Sequence, residues 1–191
     1  MPAEAPNVIT VSAVGPSTAK ADYSNYGLGD IDIAAPGGWF RDQFGTPAFQ
    51  TPGNLILSSY PLHVAIAEGL ADENGQPTDE FSVQYCDEHG LCGFYTYLQG
   101  TSMASPHVAG VAALIISAKG HSDGHGRALD PETVAAVLAG TATDHACPAG
   151  GVEDYTDEGR DPALFNAVCE GTTDVNGLYG EGIVDAEEAV D

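Results

Sequence analysis

Between residues 94 and 118 the chain changes character twice, and this change constrains the fold more than any other stretch. Phe94, Tyr95, Thr96, Tyr97 and Leu98 have the aromatic and β-branched composition of a strand. Gln99-Gly100-Thr101 interrupts it, and from Ser102 to about Ala118 the residues are apolar and alanine-rich. Met103, Val108, Val111, Leu114, Ile115 and Ile116 leave almost no polar face, so the pattern predicts a helix buried on all sides. Ala104, Ala109, Gly110, Ala112 and Ala113 would let neighbouring backbone come close. Pro106 lies about one turn in, and its missing N–H frees the carbonyl of Ser102 from a helical bond. A strand passing through a glycine turn into a buried helix is an α/β construction.

Ser102 stands at the junction. A serine there is expected to cap the helix. A nucleophile in the same place would gain from a backbone N–H facing a developing oxyanion and from the positive end of the helix.

The remaining segments are shorter. Residues 8–14, Val-Ile-Thr-Val-Ser-Ala-Val, read as a strand buried on both faces. Ile31-Asp32-Ile33-Ala34-Ala35 reads as a second strand, stopped by Pro36-Gly37-Gly38. Residues 40–93 show no sustained period beyond a short helical possibility at 62–70. Their acidic loop, from Asp72 to Glu80, is rich in oxygen donors but lacks EF-hand spacing and reads as solvated. Asp130-Pro131-Glu132 opens a helix that Gly140 ends, and Asp185 and Glu188 have capping-box spacing.

Charge bounds the partners. The 191 residues carry 28 acidic against 5 basic side chains, a net charge of −23. That balance disfavours nucleic acid and anionic membrane surfaces. It suits a protein kept soluble outside the cell or in salty surroundings. The longest apolar run, residues 108–118, is too short to span a bilayer. Four cysteines fall as two local pairs, Cys86 with Cys92 and Cys147 with Cys169, without metal-type spacing. Two disulfides in an exported protein are expected, with free thiols as the alternative. The opening Met-Pro-Ala-Glu-Ala-Pro has neither the basic nor the apolar region of an export signal. The expectation is that the beginning of the domain is missing.

The run Gly100-Thr101-Ser102-Met103-Ala104-Ser105-Pro106-His107-Val108-Ala109-Gly110 resembles the nucleophile motif of the subtilisin-like serine peptidases, peptidase family S8. Pro6-Asn7-Val8-Ile9-Thr10-Val11-Ser12-Ala13-Val14 is similar to the family strand after its oxyanion asparagine. Tyr23-Ser24-Asn25-Tyr26-Gly27, Asp32-Ile33-Ala34-Ala35-Pro36-Gly37 and Gly182-Ile183-Val184-Asp185-Ala186 resemble later family segments, in the right order. The resemblance implies a three-layer α/β/α subtilisin-like fold with a mostly parallel sheet. Residues 1–191 would be the C-terminal part of one peptidase domain, with 40–93 and 141–175 as inserted or variable loops. It implies a secreted serine endopeptidase for protein or peptide substrates, acting through an acyl-enzyme. Ser102 would be the nucleophile and its own N–H an oxyanion donor. No cofactor is required. Calcium is possible, and the carbonyls of Ala3, Ala5 and Val8 correspond to a weak cation site of the family.

The family's Asp-Ser/Thr-Gly, its His-Gly-Thr and its oxyanion asparagine have no counterpart here. The histidines are His63, His89, His107, His121, His125 and His145. His107 lies five positions after Ser102, about 140° around the helix and roughly 7–8 Å along it, so the two side chains cannot share a hydrogen bond. The chain alone is therefore expected to be nearly inert, its partner being the missing N-terminal half of the same domain. Two alternatives stay open. One is a nucleophile elbow of α/β-hydrolase type, with Asp144 and His145 after the serine but Ala104 where that motif has glycine. The other is a truncated, non-catalytic module that binds peptides.

Overall fold

The structure, a computed structural model, describes residues 5, 7–122, 124 and 126–191. Two short apolar strands, β1 (Val11–Val14) and β2 (Ile33–Pro36), pair in parallel from Val11 opposite Ile33 to Val14 opposite Pro36. After a 3-10 turn at Pro52–Asn54 come β3 (Ile56–Ser59), α1 (Leu62–Glu68), β4 (Ser82–Cys86) and β5 (Cys92–Leu98). These three strands form an antiparallel sheet in the order β3-β5-β4. Then follow α2 (Thr101–Lys119), β6 (His121–Ser122), β7 (Arg127–Ala128) and α3 (Pro131–Gly140). The last elements are β8 (Val152–Glu153), α4 (Pro162–Phe165), β9 (Ala167–Val168) and α5 (Ala186–Val190). The chain is thus α/β. Its parallel pairing between named strands is β1 with β2, while the other strand pairs are antiparallel.

The core forms where α2 crosses the parallel pair. Ala104, Val108, Val111 and Ile115 recur at helical spacing and bury one stripe of α2. They meet Ala13 and Val14 of β1, Ile33, Ala34 and Ala35 of β2, Val134 and Leu138 of α3, and Ala189 of α5 in one cluster. The small strand residues let the helix lie close. Asp130 caps α3 by accepting from the Glu132 and Thr133 amides, and Asp185 caps α5 by accepting from Glu187 and Glu188.

Two expectations about burial are corrected. α2 is buried along that stripe only: Ser105, His107, Ala109, Gly110, Ala113 and Ser117 face solvent, and Leu114 is 50% exposed. At 19 residues, with an 18-residue window of mean hydropathy 1.3, it is by length and composition long enough to cross a membrane. Here its buried stripe packs on β1, β2, α3 and α5. Residues 8–14 are likewise not buried throughout. Val8 is 47% and Ile9 37% exposed, because pairing with β2 begins only at Val11. Val8 and Ile9 line a groove of about 540 Å³ whose far wall is Ile116, Leu129 and the Ala135–Ala139 side of α3.

The stretch 40–93, which shows no period, contains β3, α1 and β4. Its strands are short and find their partners far away, Ile56 opposite Leu98 and Ser82 opposite Thr96. Gly69 ends α1 in the left-handed conformation at φ 77°, the usual glycine stop. Phe94 of β5 packs with Ala65 and Ala71 in a small second cluster. The acidic loop folds on itself: Asp72 Oδ1 accepts from the Asn74 and Gln76 amides at 2.8 Å each, and these bonds lower its pKa. Asn54 is buried and organises residues 40–54, donating to the carbonyls of Asp42 (3.0 Å) and Ala48 (2.9 Å) while its own carbonyl accepts from Trp39.

Both expected disulfides form, Cys86–Cys92 across β4 and β5 and Cys147–Cys169 beside the main core. The stretch 141–175 is bound to the core rather than draped over it. Tyr155 is fully buried, stacks edge-on against Trp39, and donates to the Lys20 carbonyl at 2.8 Å. Lys20 is itself fully buried, its Nζ donating to the Ala21 carbonyl at 2.9 Å. Arg160 reaches the buried carboxylate of Asp22, and Arg41 donates to the Glu158 carbonyl at 2.6 Å.

Burial lowers the Lys20 pKa from 10.5 to about 8, against the pull of Asp22 and Glu153. Between these values the unfolded chain holds a proton that the folded chain has lost, so stability rises with pH. Burial also raises the pKa of Tyr23, Tyr155 and Tyr179 above the ordinary 10.0. Above pH 10 the unfolded tyrosines ionise first and the gain reverses. Unfolding free energy is expected to rise by on the order of 2 kcal/mol from pH 8 to 10 in denaturant titrations. Lys20→Met is expected to flatten that rise, and a rise that persists in the variant would assign it elsewhere. Asn54→Ala should cost about 1–3 kcal/mol as a lower denaturation midpoint, by stranding the two loop carbonyls. An unmoved midpoint would show that the loop does not depend on it.

Candidate active site

β5 delivers the chain to the helix through Gln99 and Gly100. The Gln99 side chain accepts from the Phe40 amide at 2.6 Å. The Gly100 amide donates to the Gly37 carbonyl at 2.9 Å, and the Gly37 amide donates to Val14 of β1 at 3.0 Å. Space makes Gly37 necessary, and backbone conformation favours glycine at 100. A Cβ on Gly37 would stand 2.5 Å from Ala13 Cβ and 2.8 Å from the Gly100 oxygen, and Gly100 sits at φ 152°. A backbone approach this close, between the end of β2 and the turn before α2, admits no side chain.

The helix starts at that turn. Gly100 occupies the N-cap position, and its carbonyl accepts from Met103 (2.9 Å) and Ala104 (3.3 Å). Ser102 is therefore the second helical residue, which corrects the expectation that its hydroxyl caps the helix. A glycine cap has no side chain to engage the first-turn amides. Ser102 is exposed, and its hydroxyl makes no hydrogen bond among the described residues. Pro106 offers no N–H to the Ser102 carbonyl, and Ser105 Oγ bonds back to Thr101 at 3.0 Å. The result is a free hydroxyl beside unengaged amides at the positive end of a 19-residue helix.

The histidines do not complete it. The His107 ring sits 2.7 Å from the Met103 carbonyl, bonded along its own helix as its spacing from Ser102 requires. His63 and His121 are exposed on α1 and β6, His89 pairs with Glu88 at 3.6 Å, and His125 lies outside the described residues. His145 is held by Thr18 Oγ1 at 3.0 Å and by the Tyr179 ring, 4.2 Å between centroids. Its other nitrogen faces the Ala146 carbonyl, so no carboxylate orients it, and Asp144 is exposed. The elbow arrangement of Ser102 with Asp144 and His145 is not assembled.

Of the expected cation ligands, Ala3 lies outside the described residues, while Ala5 and Val8 are exposed in the chain ahead of β1. Among the described residues no three His, Cys, Asp or Glu side chains gather as a metal site. Gly37 and Tyr23, both in contact with the turn, carry no sequence signal of this role. They sit 63 and 77 or more residues from the serine's turn, and the glycine pair after β2 reads only as a strand stop.

Comparison with known proteins gives the family. The subtilase family model, peptidase family S8, matches residues 1–181. The "Extracellular protease" of Xanthomonas campestris pv. campestris is 33% identical over 142 residues, 74% of this chain and 17% of that protein. Thermitase of Thermoactinomyces vulgaris is 31% identical over 142 residues, 74% of this chain and 33% of that protein. The "Extracellular basic protease" of Dichelobacter nodosus is 30% identical over the same span, 74% of this chain and 16% of that protein. The alignments thus take in a third or less of each of these relatives. By the match of its whole length but the last ten residues, this chain belongs to the subtilase family.

Proposed function

We propose that this chain carries the nucleophile of a secreted serine endopeptidase. The observation that bears most weight is the placement of Ser102: exposed, unbonded, on the first turn of α2, with glycine rather than a side chain capping that turn. Ser102 Oγ would attack the scissile carbonyl of a protein or peptide and form an acyl-enzyme. The Ser102 N–H would donate to the oxyanion, and the helix end favours the charge that develops there. Two disulfides and the names of the Xanthomonas and Dichelobacter relatives support secretion.

The proton on Ser102 needs a histidine base with an orienting aspartate, and the oxyanion needs a second donor. We assign all three to a preceding segment of the same domain. Such a segment would cover the outer face of α2, where Leu114 is exposed, and the apolar groove at Val8 and Ile9, both open here. β1, β2 and the flanking helices would then be part of a three-layer α/β/α domain with a mostly parallel sheet, with residues 40–93 and 141–175 as insertions. In the same reading the carbonyls of Ala3, Ala5 and Val8 form a weak cation site suited to calcium, since carbonyl oxygens are hard donors. No step of the reaction passes through it. The absence of a histidine bonded to Ser102 among the described residues favours a second reading for the chain by itself, a non-catalytic peptide-binding fragment.

Reaction with a fluorophosphonate probe separates the two. In subtilisin, loss of the histidine costs on the order of 10⁶ in turnover. The 191-residue chain is expected to label at Ser102 over hours, and a chain extended by any in-frame upstream coding sequence within minutes. Ser102→Ala should abolish both. Rapid labelling of the short chain would overturn the need for a second segment, and a slow extended chain would favour the non-catalytic reading.

A further inference from the structure

The turn that presents Ser102 is tied to the rest of the fold at few points, and one of them is a side-chain hydroxyl. Tyr23 Oη lies 3.1 Å from the Gly37 carbonyl oxygen and also donates to the Gly38 carbonyl. The Gly37 oxygen is the atom that receives the Gly100 amide, at 2.9 Å. A carbonyl has two lone pairs, and at Gly37 one faces the serine's turn and the other faces Tyr23. We propose that the Tyr23 hydroxyl is a positioning group for the nucleophile, holding the Gly37–Gly38 backbone in the place from which it fixes Gly100 and the first turn of α2.

The base of this clamp is rigid. Ala21 donates to Ala13 of β1 at 2.9 Å, and Ala13 in turn donates to Ser24 Oγ at 3.0 Å. Tyr23 is therefore anchored to β1 on both sides in the chain. Its ring packs against the main core, where a phenylalanine would fill the same space, so the hydroxyl is the part left to explain. Burial, with a further push from Asp22, raises its pKa and keeps the phenol a donor, while the Gly100 amide pulls the other way. The packing at Gly37 shows how little slack the junction has: an added Cβ there would also lie 3.2 Å from Tyr23 Oη. The hydroxyl and the two glycines form one close-fitting unit. Removing the oxygen leaves the ring but unties the Gly38 carbonyl and half of the Gly37 carbonyl.

The geometric part of this proposal stands on its own, and its catalytic consequence rests on the reading of Ser102 as nucleophile. The test is Tyr23→Phe in the 191-residue chain, with two readouts. The first is amide hydrogen exchange at Gly100, with Leu138 of α3 as a control for global opening. Exchange at Gly100 is expected to quicken about five- to tenfold, the weight of one net hydrogen bond, with Leu138 unchanged. Unchanged exchange at Gly100, or equal quickening at both amides, overturns the clamp. The second is the fluorophosphonate reaction resolved into probe affinity and bond-forming rate. The rate is expected to fall at least threefold with affinity unchanged, whereas a loss confined to affinity overturns the positioning role. Ser102→Ala is the control. Labelling that survives it overturns the nucleophile reading instead, and the exchange result alone then decides the clamp.

Discussion

The hydrogen bond from the Gly100 amide to the Gly37 carbonyl is the constraint on which most of the fold depends. It joins the only parallel strand pair among the described residues to the longest helix. Upstream of it, Gly37 is held to β1 through Val14, so β1, β2 and the turn form one backbone-bonded unit. Downstream, the direction in which α2 leaves that turn decides that Ala104, Val108, Val111 and Ile115 fall on the strands. A side chain on Gly37 would run into Ala13 of β1 and the Gly100 carbonyl, so the turn could not keep its place against the strands. The small residues of the core and the exposed serine are thus two results of one close approach.

A second layer of order comes from ionisable groups that apolar packing would not choose. Lys20, Asp22 and Arg160 bring the end of β1 together with residues 153–165. A buried pair of this sort contributes little net stability, because desolvation offsets most of the attraction. Its use is registry: an unpaired Asp22 or Lys20 is costly enough that the late loop has one acceptable docking. Cys147–Cys169 then holds the same loop covalently, its two ends 22 positions apart. Specificity from charge and permanence from the disulfide act on the same segment.

How much of this was readable in the sequence follows from the range of the interactions. Local signals were legible: the proline and aspartate opening α3, the Asp185 cap of α5, the disulfide pairs, and the strand-turn-helix around Ser102. The outer face of α2 was not. Leucine, alanine and valine report that a helix can be buried, whereas what buries it depends on what packs there, and Leu114 and Ala113 are exposed. β3 and β4 were missed because their hydrogen bonds run to β5, up to 42 residues away, and their alternation is too short to stand out. The Lys20–Tyr155 contact spans 135 residues and the Gly37–Gly100 contact 63, and neither residue type announces a partner at that distance. The serine was legible and its support was not, because a motif is local and a buttress is not.

The five basic side chains have one further consequence. Lys20 is buried, Arg160 is spent on Asp22, Arg41 and Arg127 bond backbone carbonyls, and Lys119 closes the last turn of α2. None lies within ion-pair distance of an exposed carboxylate among the described residues. The molecule therefore presents itself to solution as a polyanion wrapped in a diffuse cloud of cations, about 8 Å deep at physiological ionic strength. Two such clouds must overlap before two apolar grooves can touch. Colloidal behaviour is then governed by the dissolved salt, which thins the cloud, rather than by the area of the groove. Protons gather in the same cloud, so the exposed Ser102 meets a layer of water slightly more acidic than the bulk around it.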